Sequence, residues 1–338
     1  YRKYRPATFA DLLGQDIIAK ILQEAARQDR LAHAYLLSGP RGTGKTTTAR
    51  LIAKIANCKT RLEDEKHKKT GEPCNACAHC LSIDEGRALD IIEIDAASNR
   101  GIDEMRALKE NVRVAPSVLP RKVFIIDEAH MLTKEAGNAL LKTLEEPPAY
   151  VTIILATTEA EKIPATIASR AQRFQFKHVP LKLLTEKLQT IANKEKIKIA
   201  EDALELIAQA GEGSFRDAES LLDQMQSLTE GEITTEAVET TLGKLGFKKI
   251  SGLAETMLQH NLDETLQILG EIADQGHNLP ELTKDLILHL RKVAVLTASP
   301  NIKSKLEAEL PMDQLRVIEA HTKLWKDADL ELLKNLIR

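Results

Sequence analysis

Aromatic side chains are scarce here: six Phe, four Tyr and one Trp in 338 residues. So few rings argue against a protein that recognises bases by stacking them on aromatic platforms. No stretch approaches the ~18 uninterrupted apolar residues of a membrane helix, and the opening YRKYRPATFA has no apolar signal-peptide core. Repeats and low-complexity tracts are also missing. With 43% hydrophobic and 29% charged residues, these absences exclude a collagen, a coiled-coil rod, a disordered chain and a membrane protein. A cytoplasmic globular protein is expected, of two or three domains at ~150 residues each. With no initiator Met, trimmed ends are expected.

Net charge is also nearly absent, −3 overall, but its distribution is uneven. Residues 1–60 hold 11 basic and 4 acidic side chains, whereas residues 201–280 hold 4 basic and 16 acidic ones. A polyanion, if one binds, meets the first part of the chain; two ordinary solvated surfaces would give the same counts. Cysteine is confined to four positions between 58 and 80. Nothing points to secretion, so the cluster reads as metal-binding before it reads as disulfides.

Up to about residue 178, strand candidates at 34–38, 90–95, 122–127, 151–157 and 173–178, four of them runs of Ile, Val and Leu, alternate with helical patterns at 45–57, 103–114 and 134–145. Such alternation predicts a doubly wound α/β domain with a mainly parallel sheet covered on both faces. Beyond Pro180 the strand signal stops. Residues 181–243 read as three short helices, with Ser214-Phe215-Arg216-Asp217 as a capping box at the start of the third. From about residue 247 the pattern is all helical. The expected division is 1–178, 179–243 and 244–338.

Gly39-Pro40-Arg41-Gly42-Thr43-Gly44-Lys45-Thr46 follows a strand and opens a helix, the context in which G-x-x-x-x-G-K-[ST] cradles phosphates on backbone N–H groups and a helix N-terminus. Lys45 is expected to reach the β- and γ-phosphates and the Thr46 hydroxyl to bind Mg²⁺. The strand at 122–127 ends in Asp127-Glu128-Ala129-His130. A carboxylate at that strand tip can hold the metal through water, and Glu128 is placed to polarise an attacking water, which makes the chemistry hydrolysis. Thr157 and Thr158 end the next strand, either to orient that water or sense the γ-phosphate, or simply as strand-packing threonines. Arg170 reads as a surface residue or as a finger inserted into a neighbour's ATP site. Cys58, Cys74, Cys77 and Cys80 space as C-x15-C-x2-C-x2-C, suited to a structural tetrahedral Zn²⁺ with no open position. His67 and His79 are possible substitutes and otherwise surface residues.

Together with Ala139-Leu140-Leu141-Lys142-Thr143-Leu144-Glu145-Glu146-Pro147-Pro148, Leu155-Ala156-Thr157-Thr158 and Ser169-Arg170, these motifs resemble the AAA+ clamp-loader ATPases. The four-Cys insertion followed by Ile94-Asp95-Ala96-Ala97-Ser98 is similar to the gamma/tau branch of that family, which serves bacterial DNA polymerase III. The resemblance implies a P-loop AAA+ (RecA-like) domain, a three-helix lid and an all-α collar that holds a ring together. It implies Thr157 as the first sensor and Arg216 as the second, contacting the γ-phosphate, with Arg170 as the finger acting in trans. Tyr4-Arg5-Pro6 and Ile17-Ile18 would border the adenine, and the nucleotide-binding run extends to Thr47. One departure is Ala171, where the family's Ser-Arg-Cys motif has Cys.

The function implied is the ATP-hydrolysing motor subunit of a clamp loader, with ATP, Mg²⁺ and Zn²⁺ as its small-molecule partners. Delta- and delta-prime-type subunits, further copies of the chain, the beta sliding clamp and primer–template DNA are the implied macromolecular partners. Arg100, Arg106 and Lys142 are candidate phosphate contacts or plain surface charges. The chain stops at Arg338, before the long extension that would reach polymerase and helicase. A DExH helicase would share Asp127–His130 but needs a second sheet, and a zinc-containing P-loop kinase would leave Glu128 and Arg170 without a purpose. A stator-like subunit without turnover is weakened by the intact Lys45, Thr46 and Glu128.

Overall fold

The structure, a computed structural model, describes residues 3–98, 108, 110–229, 231–243, 245–274 and 276–325. The chain divides into two compact units, Tyr1–His178 and Val179–Arg338.

In the first unit, helix α1 (Asp16–Arg27) leads to strand β1 (Ala34–Ser38) and helix α2 (Lys45–Asn57). Three short helices follow, α3 (Lys59–Glu63), α4 (Glu65–Lys68) and α5 (Ala78–Asp84), before β2 (Ile91–Asp95) and β3 (Lys122–Asp127). Helix α6 (Lys134–Glu145), β4 (Val151–Thr157), α7 (Ala165–Ala168) and β5 (Gln172–Gln175) complete it. The helix expected over 103–114 lies largely outside the described residues; Leu108 and residues 110–113 are helical. The five strands form one parallel sheet in the order β2-β3-β4-β1-β5.

Period-2 alternation within the apolar runs builds two cores, one on each face of the sheet. Tyr35, Leu37, Val123, Ile125 and Ile154 face one way, with Phe9, Leu12, Leu22 and Ile52 packed on them. Ala34, Leu36, Phe124, Ile126, Ile153 and Leu155 face the other, under Leu140, Leu144 and Ile167. Because both faces are covered, β4 is buried along its whole length. Strand β5 is shorter than the 173–178 expected: Phe176 N–H still donates to Ser38 O at 2.7 Å, but β1 turns away there and the ladder ends. At this turn Gly39 runs so close to Phe176 that a Cβ on it would sit 2.5 Å from the Phe176 carbonyl oxygen, so only glycine fits.

The second unit is helical: α8 (Leu181–Glu195), α9 (Glu201–Ala210), α10 (Phe215–Leu228), α11 (Thr235–Leu242), α12 (Phe247–Leu258), α13 (Leu262–Asp274), α14 (Leu279–Ala298), α15 (Lys303–Glu309) and α16 (Met312–Leu324). Among its described residues the β-structure is one isolated bridge, Ile199 to Ile233. Residues 181–243 thus carry four helices where three are expected. The fourth starts because the Thr234 hydroxyl accepts the Ala237 N–H at 3.3 Å, a cap hidden in a short polar run. Ser214 caps α10 as its sequence predicts, accepting the Asp217 N–H at 3.2 Å. Its own N–H goes to Gly211 O at 2.8 Å, so the reciprocal half of the box is not made.

Candidate functional site

The sheet order places the carboxyl ends of β1, β4 and β3 side by side. Chain connectivity reverses at β1, the position at which open α/β sheets bind ligands. Ser38 pairs with Thr157 and Ile126 with Leu155, so the loop after β1, the threonines after β4 and the acidic pair after β3 share one edge.

Lys45 is 6% exposed and its Nζ donates to the carbonyls of Gly39 and Pro40 at 2.7 and 2.8 Å. Burial lowers the pKa of this ammonium, while Glu128 and Asp127 pull it back up. A cation so held, desolvated and answered only by loop carbonyls and two carboxylates, is set to receive a polyanion. The Thr46 hydroxyl donates to Asp127 Oδ2 at 2.9 Å, joining residues 81 apart in sequence. Hydroxyl and carboxylate at that separation are the oxygen donors a hard divalent cation uses. Asp127 Oδ1 accepts the Glu128 N–H at 3.0 Å.

Glu128 has φ 48° and ψ 44°, left-handed backbone that a non-glycine residue holds only where its surroundings enforce it. Its Oε2 accepts from the Thr158 hydroxyl at 3.1 Å. Thr157 is fully buried; its Oγ1 accepts the Glu159 N–H at 3.0 Å and lies 3.0 Å from His130 Nδ1. The two threonines therefore differ, one engaging the glutamate and the other the histidine.

His130 Nε2 lies 3.1 Å from Glu159 Oε1 and its Nδ1 3.5 Å from Glu128 Oε2. Carboxylate oxygens lie near both ring nitrogens, Glu159 at Nε2 and Glu128 at Nδ1, with the Thr157 hydroxyl 3.0 Å from Nδ1. His130 thus joins the tip of β3 to that of β4. The Asp127–His130 run includes it, but its contact with Thr157 depends on side-chain direction after a turn, which no spacing rule gives. The same holds for Glu145, whose Oε1 accepts from Arg170 Nη2 at 2.6 Å while Arg170 Nη1 donates to Thr166 O at 2.6 Å.

The remaining sequence candidates are distributed as follows. Arg41 is exposed and Thr43 buried, with its hydroxyl on Pro40 O at 2.8 Å; Gly42, Gly44 and Thr47 are half-buried in the loop and the first turn of α2. Tyr4, Arg5 and Pro6 are half-buried. Ile18 belongs to the core whereas Ile17 is 71% exposed on the other side of α1. Arg216 stands exposed in the first turn of α10, in the second unit. Lys142 is exposed on α6, and Arg100 and Arg106 lie outside the described residues.

The four cysteines converge: one sulfur from each of Cys58, Cys74, Cys77 and Cys80 lies within 4.8 Å of all the others. Backbone N–H groups point at these sulfurs, Cys77 N at 3.2 Å from Cys74 Sγ and Cys80 N at 3.5 Å from Cys77 Sγ. A hydrogen bond from Cys80 and the N–H groups of Cys74 and Arg61 lower the pKa of the Cys58 thiol. Four sulfurs at these separations, two of them buried, fit a tetrahedral thiolate site. His79 is engaged elsewhere, its Nδ1 at 2.8 Å from Asn57 O, and His67 Nε2 is 3.0 Å from Glu72 O.

A five-stranded parallel sheet with a lysine-bearing glycine loop after β1, an Asp–Glu pair after β3 and a buried threonine after β4 defines the AAA+ class of P-loop proteins. The solved Thermotoga maritima RuvB Holliday junction branch migration motor shares that fold at a TM-score of 0.50 and 20% identity, covering 83% of this chain and 91% of its own. Residues 14–180 match the family described as DNA polymerase III, delta subunit, and residues 184–231 the DNA polymerase III clamp loader subunit, ATPase lid domain.

DNA polymerase III subunit tau of Bacillus subtilis is 44% identical over 307 residues, 91% of this chain and 53% of its own length. DNA polymerase III subunit gamma of Buchnera aphidicola subsp. Baizongia pistaciae is 38% identical over 302 residues, 89% of this chain and 80% of its own. The chain belongs to the DNA polymerase III gamma/tau family. It spans about half the length of the tau relatives, 53% and 45% for the Bacillus subtilis and Escherichia coli proteins. Among the described residues no helix is long and apolar enough to cross a membrane.

Proposed function

We propose that the chain is an ATP-hydrolysing motor subunit of the bacterial DNA polymerase III clamp loader, acting in the cytoplasm to load the sliding clamp onto primed DNA. The observation that carries this reading is the bond from Thr46 to Asp127, with Glu128 adjoining it. It gathers a phosphate loop, a metal-binding oxygen pair and a base at one strand edge.

In this reading the N–H groups of Gly39 to Thr47 hold the triphosphate, and Lys45 exchanges its two carbonyl partners for β- and γ-phosphate oxygens. Mg²⁺, when bound by Thr46 and Asp127, neutralises charge on those oxygens. Glu128 then releases the Thr158 hydroxyl and takes a proton from the attacking water. Thr157, oriented by His130 and by the Glu159 N–H, holds that water or the γ-phosphate. Arg170 of an adjoining subunit and Arg216 of the lid supply positive charge as the phosphoryl group leaves. Tyr4, Arg5, Pro6, Ile17 and Ile18 border the base.

The organisation we propose is a nucleotide-binding domain at 1–178, a lid at 179–243 and a collar at 244–338. Cys58, Cys74, Cys77 and Cys80 hold a structural Zn²⁺. The partners are delta- and delta-prime-type subunits, further copies of the chain, the beta clamp and primer–template DNA, the last through phosphate contacts without sequence reading. Free energy comes from ATP and ADP states that grip the clamp differently. A helicase reading lacks a second sheet among the described residues. The test is ATP turnover of the assembled ring with and without primed DNA and clamp. Strong joint stimulation, abolished by Glu128→Gln, is expected; turnover indifferent to both would overturn the reading.

A further inference from the structure

The segment between Cys58 and Cys74 does more than join two thiols. Arg61 Nη2 donates to Ala26 O at 2.5 Å and pairs with Asp29, and Arg27 Nη2 donates to Thr70 O at 3.2 Å. A Cβ on Gly71 would lie 2.6 Å from the Gln23 carbonyl oxygen, so the insertion is seated on α1 with no room to spare. Next to Gly71, Glu72 leaves the insertion altogether. Its Oε2 accepts the Phe9 N–H at 2.7 Å, and its Oε1 accepts the Ala10 N–H at 2.9 Å and Gln23 Nε2 at 2.6 Å.

The residues so held are tied to the phosphate loop. Leu12 N–H donates to Phe9 O at 3.1 Å and Asp11 N–H to Thr8 O at 3.3 Å, making a compact run of turns. Phe9 is fully buried and Leu12 is 4% exposed. Both belong to the core that also holds Ala49, Leu51 and Ile52 of α2, the helix that the phosphate loop opens. Further along, Gln15 clasps the Lys177 backbone through bonds of 2.9 and 3.3 Å, one residue beyond the Phe176 that adjoins Gly39. A carboxylate bound to two backbone N–H groups is a stronger and more directional tie than a neutral contact.

We propose that Glu72 is a positioning residue for the nucleotide site: it anchors residues 9–12 so that Phe9 and Leu12 stay packed in the core that seats α2, the helix opened by the phosphate loop, and the cysteine-bounded insertion thereby sets the loop's affinity for nucleotide. The proposal rests on the reading of residues 39–46 as the ATP site. Neither the cysteine spacing nor the phosphate-loop pattern links the two regions; the carboxylate of Glu72 does.

The experiment measures the Kd of a fluorescent ATP analogue with Mg²⁺ for the full chain and its Glu72→Ala, Glu72→Gln and Leu12→Ala variants, with zinc content determined on each sample. Glu72→Ala should weaken binding about tenfold, the size of one lost charge-assisted hydrogen bond, with zinc per chain unchanged. Glu72→Gln keeps one acceptor oxygen and should fall between Glu72→Ala and the parent. The Glu72→Ala, Leu12→Ala double variant should lose less than the product of the two single effects, because both act through the packing of one segment against the core under α2. In the unsubstituted protein, nucleotide should slow hydrogen exchange at the Phe9 and Ala10 amides, as reciprocity of coupling requires; this arm survives if a variant fails to fold. Lys45→Ala is the control. If it abolishes binding while Glu72→Ala leaves Kd unchanged, or if nucleotide leaves the Phe9 and Ala10 amides unaltered, the proposal is overturned; if Lys45→Ala binds normally, the underlying site reading fails instead.

Discussion

Removing the guanidinium of Arg170 separates two roles by their magnitudes. In the folded chain this side chain is 35% exposed and its partner Glu145 49% exposed, with Nη2 to Oε1 at 2.6 Å. Such a surface pair contributes about 0–1 kcal/mol to stability. For a unit the size of Tyr1–His178, a loss of ~1 kcal/mol lowers the melting midpoint by about 2–4 °C. An arginine finger, by contrast, is worth about 10³–10⁵ in turnover, or roughly 4–7 kcal/mol of barrier at 1.36 kcal/mol per decade. Arg170→Ala should therefore melt within a few degrees of the parent and bind ATP with unchanged affinity, yet lose at least ~10³ in turnover in the assembled ring. Mixing it with Glu128→Gln chains should restore part of the activity, since each supplies what the other lacks. The assays are phosphate release, nucleotide binding and a thermal melt on the same preparations. Unchanged turnover would refute the finger, and the absence of rescue in every mixed ring would refute its action across an interface.

Two further predictions follow from other parts of the chain. The sulfur cluster should hold one Zn²⁺ per chain in reduced protein, and Cys74→Ser should both lower that stoichiometry and lower the melting midpoint; metal analysis finding none in protein kept reduced would remove the site. In the second unit His289 Nε2 lies 3.0 Å from His321 Nδ1, both rings buried. Burial first, then the charges of His321 and Lys292, bring His289 down to about 3, and burial lowers His321 too, against the pull of Glu255. The unfolded chain, with histidine near ~6.5, binds more protons, so this pair's stabilisation is intact above pH ~6.5. The His289 share is lost as pH falls from there toward 3, at about 1.4 kcal/mol per pH unit, and His321, lowered too, adds in the same direction. Chemical denaturation of the parent and of His289→Phe across that range should show the slope reduced in the variant; equal slopes would contradict it.

Much of the fold and the site is legible in the sequence, for physical reasons that differ by residue. Lys45 and Thr46 are legible because a phosphate cradle fixes glycine, lysine and hydroxyl at set spacings on one turn. The strand bounds 34–38, 122–127 and 151–157 are legible because a sheet covered on both faces needs unbroken apolar runs, and polar residues end them. The edge strand β5 is shorter than its own residues predict, because its end depends on where β1 turns. Thr157 and Thr158 are indistinguishable in sequence; the register of β4 on β1 and the side chains of Glu128 and His130 tell them apart. Glu72 carries no local signal, and Glu145, though part of the run 139–148, carries none for its pairing with Arg170. Each acts through a partner 25 to 63 positions away, which only folding brings near.

The most direct test of the account is a crystal structure of the assembled ring with Mg²⁺ and a non-hydrolysable ATP analogue. The triphosphate should lie in the loop of Gly39 to Thr46, with its terminal phosphate within ~3 Å of Lys45 Nζ and Arg170 of an adjoining subunit reaching the same phosphate. An analogue bound elsewhere, or bound in that loop with no neighbouring chain completing the crevice, would contradict it.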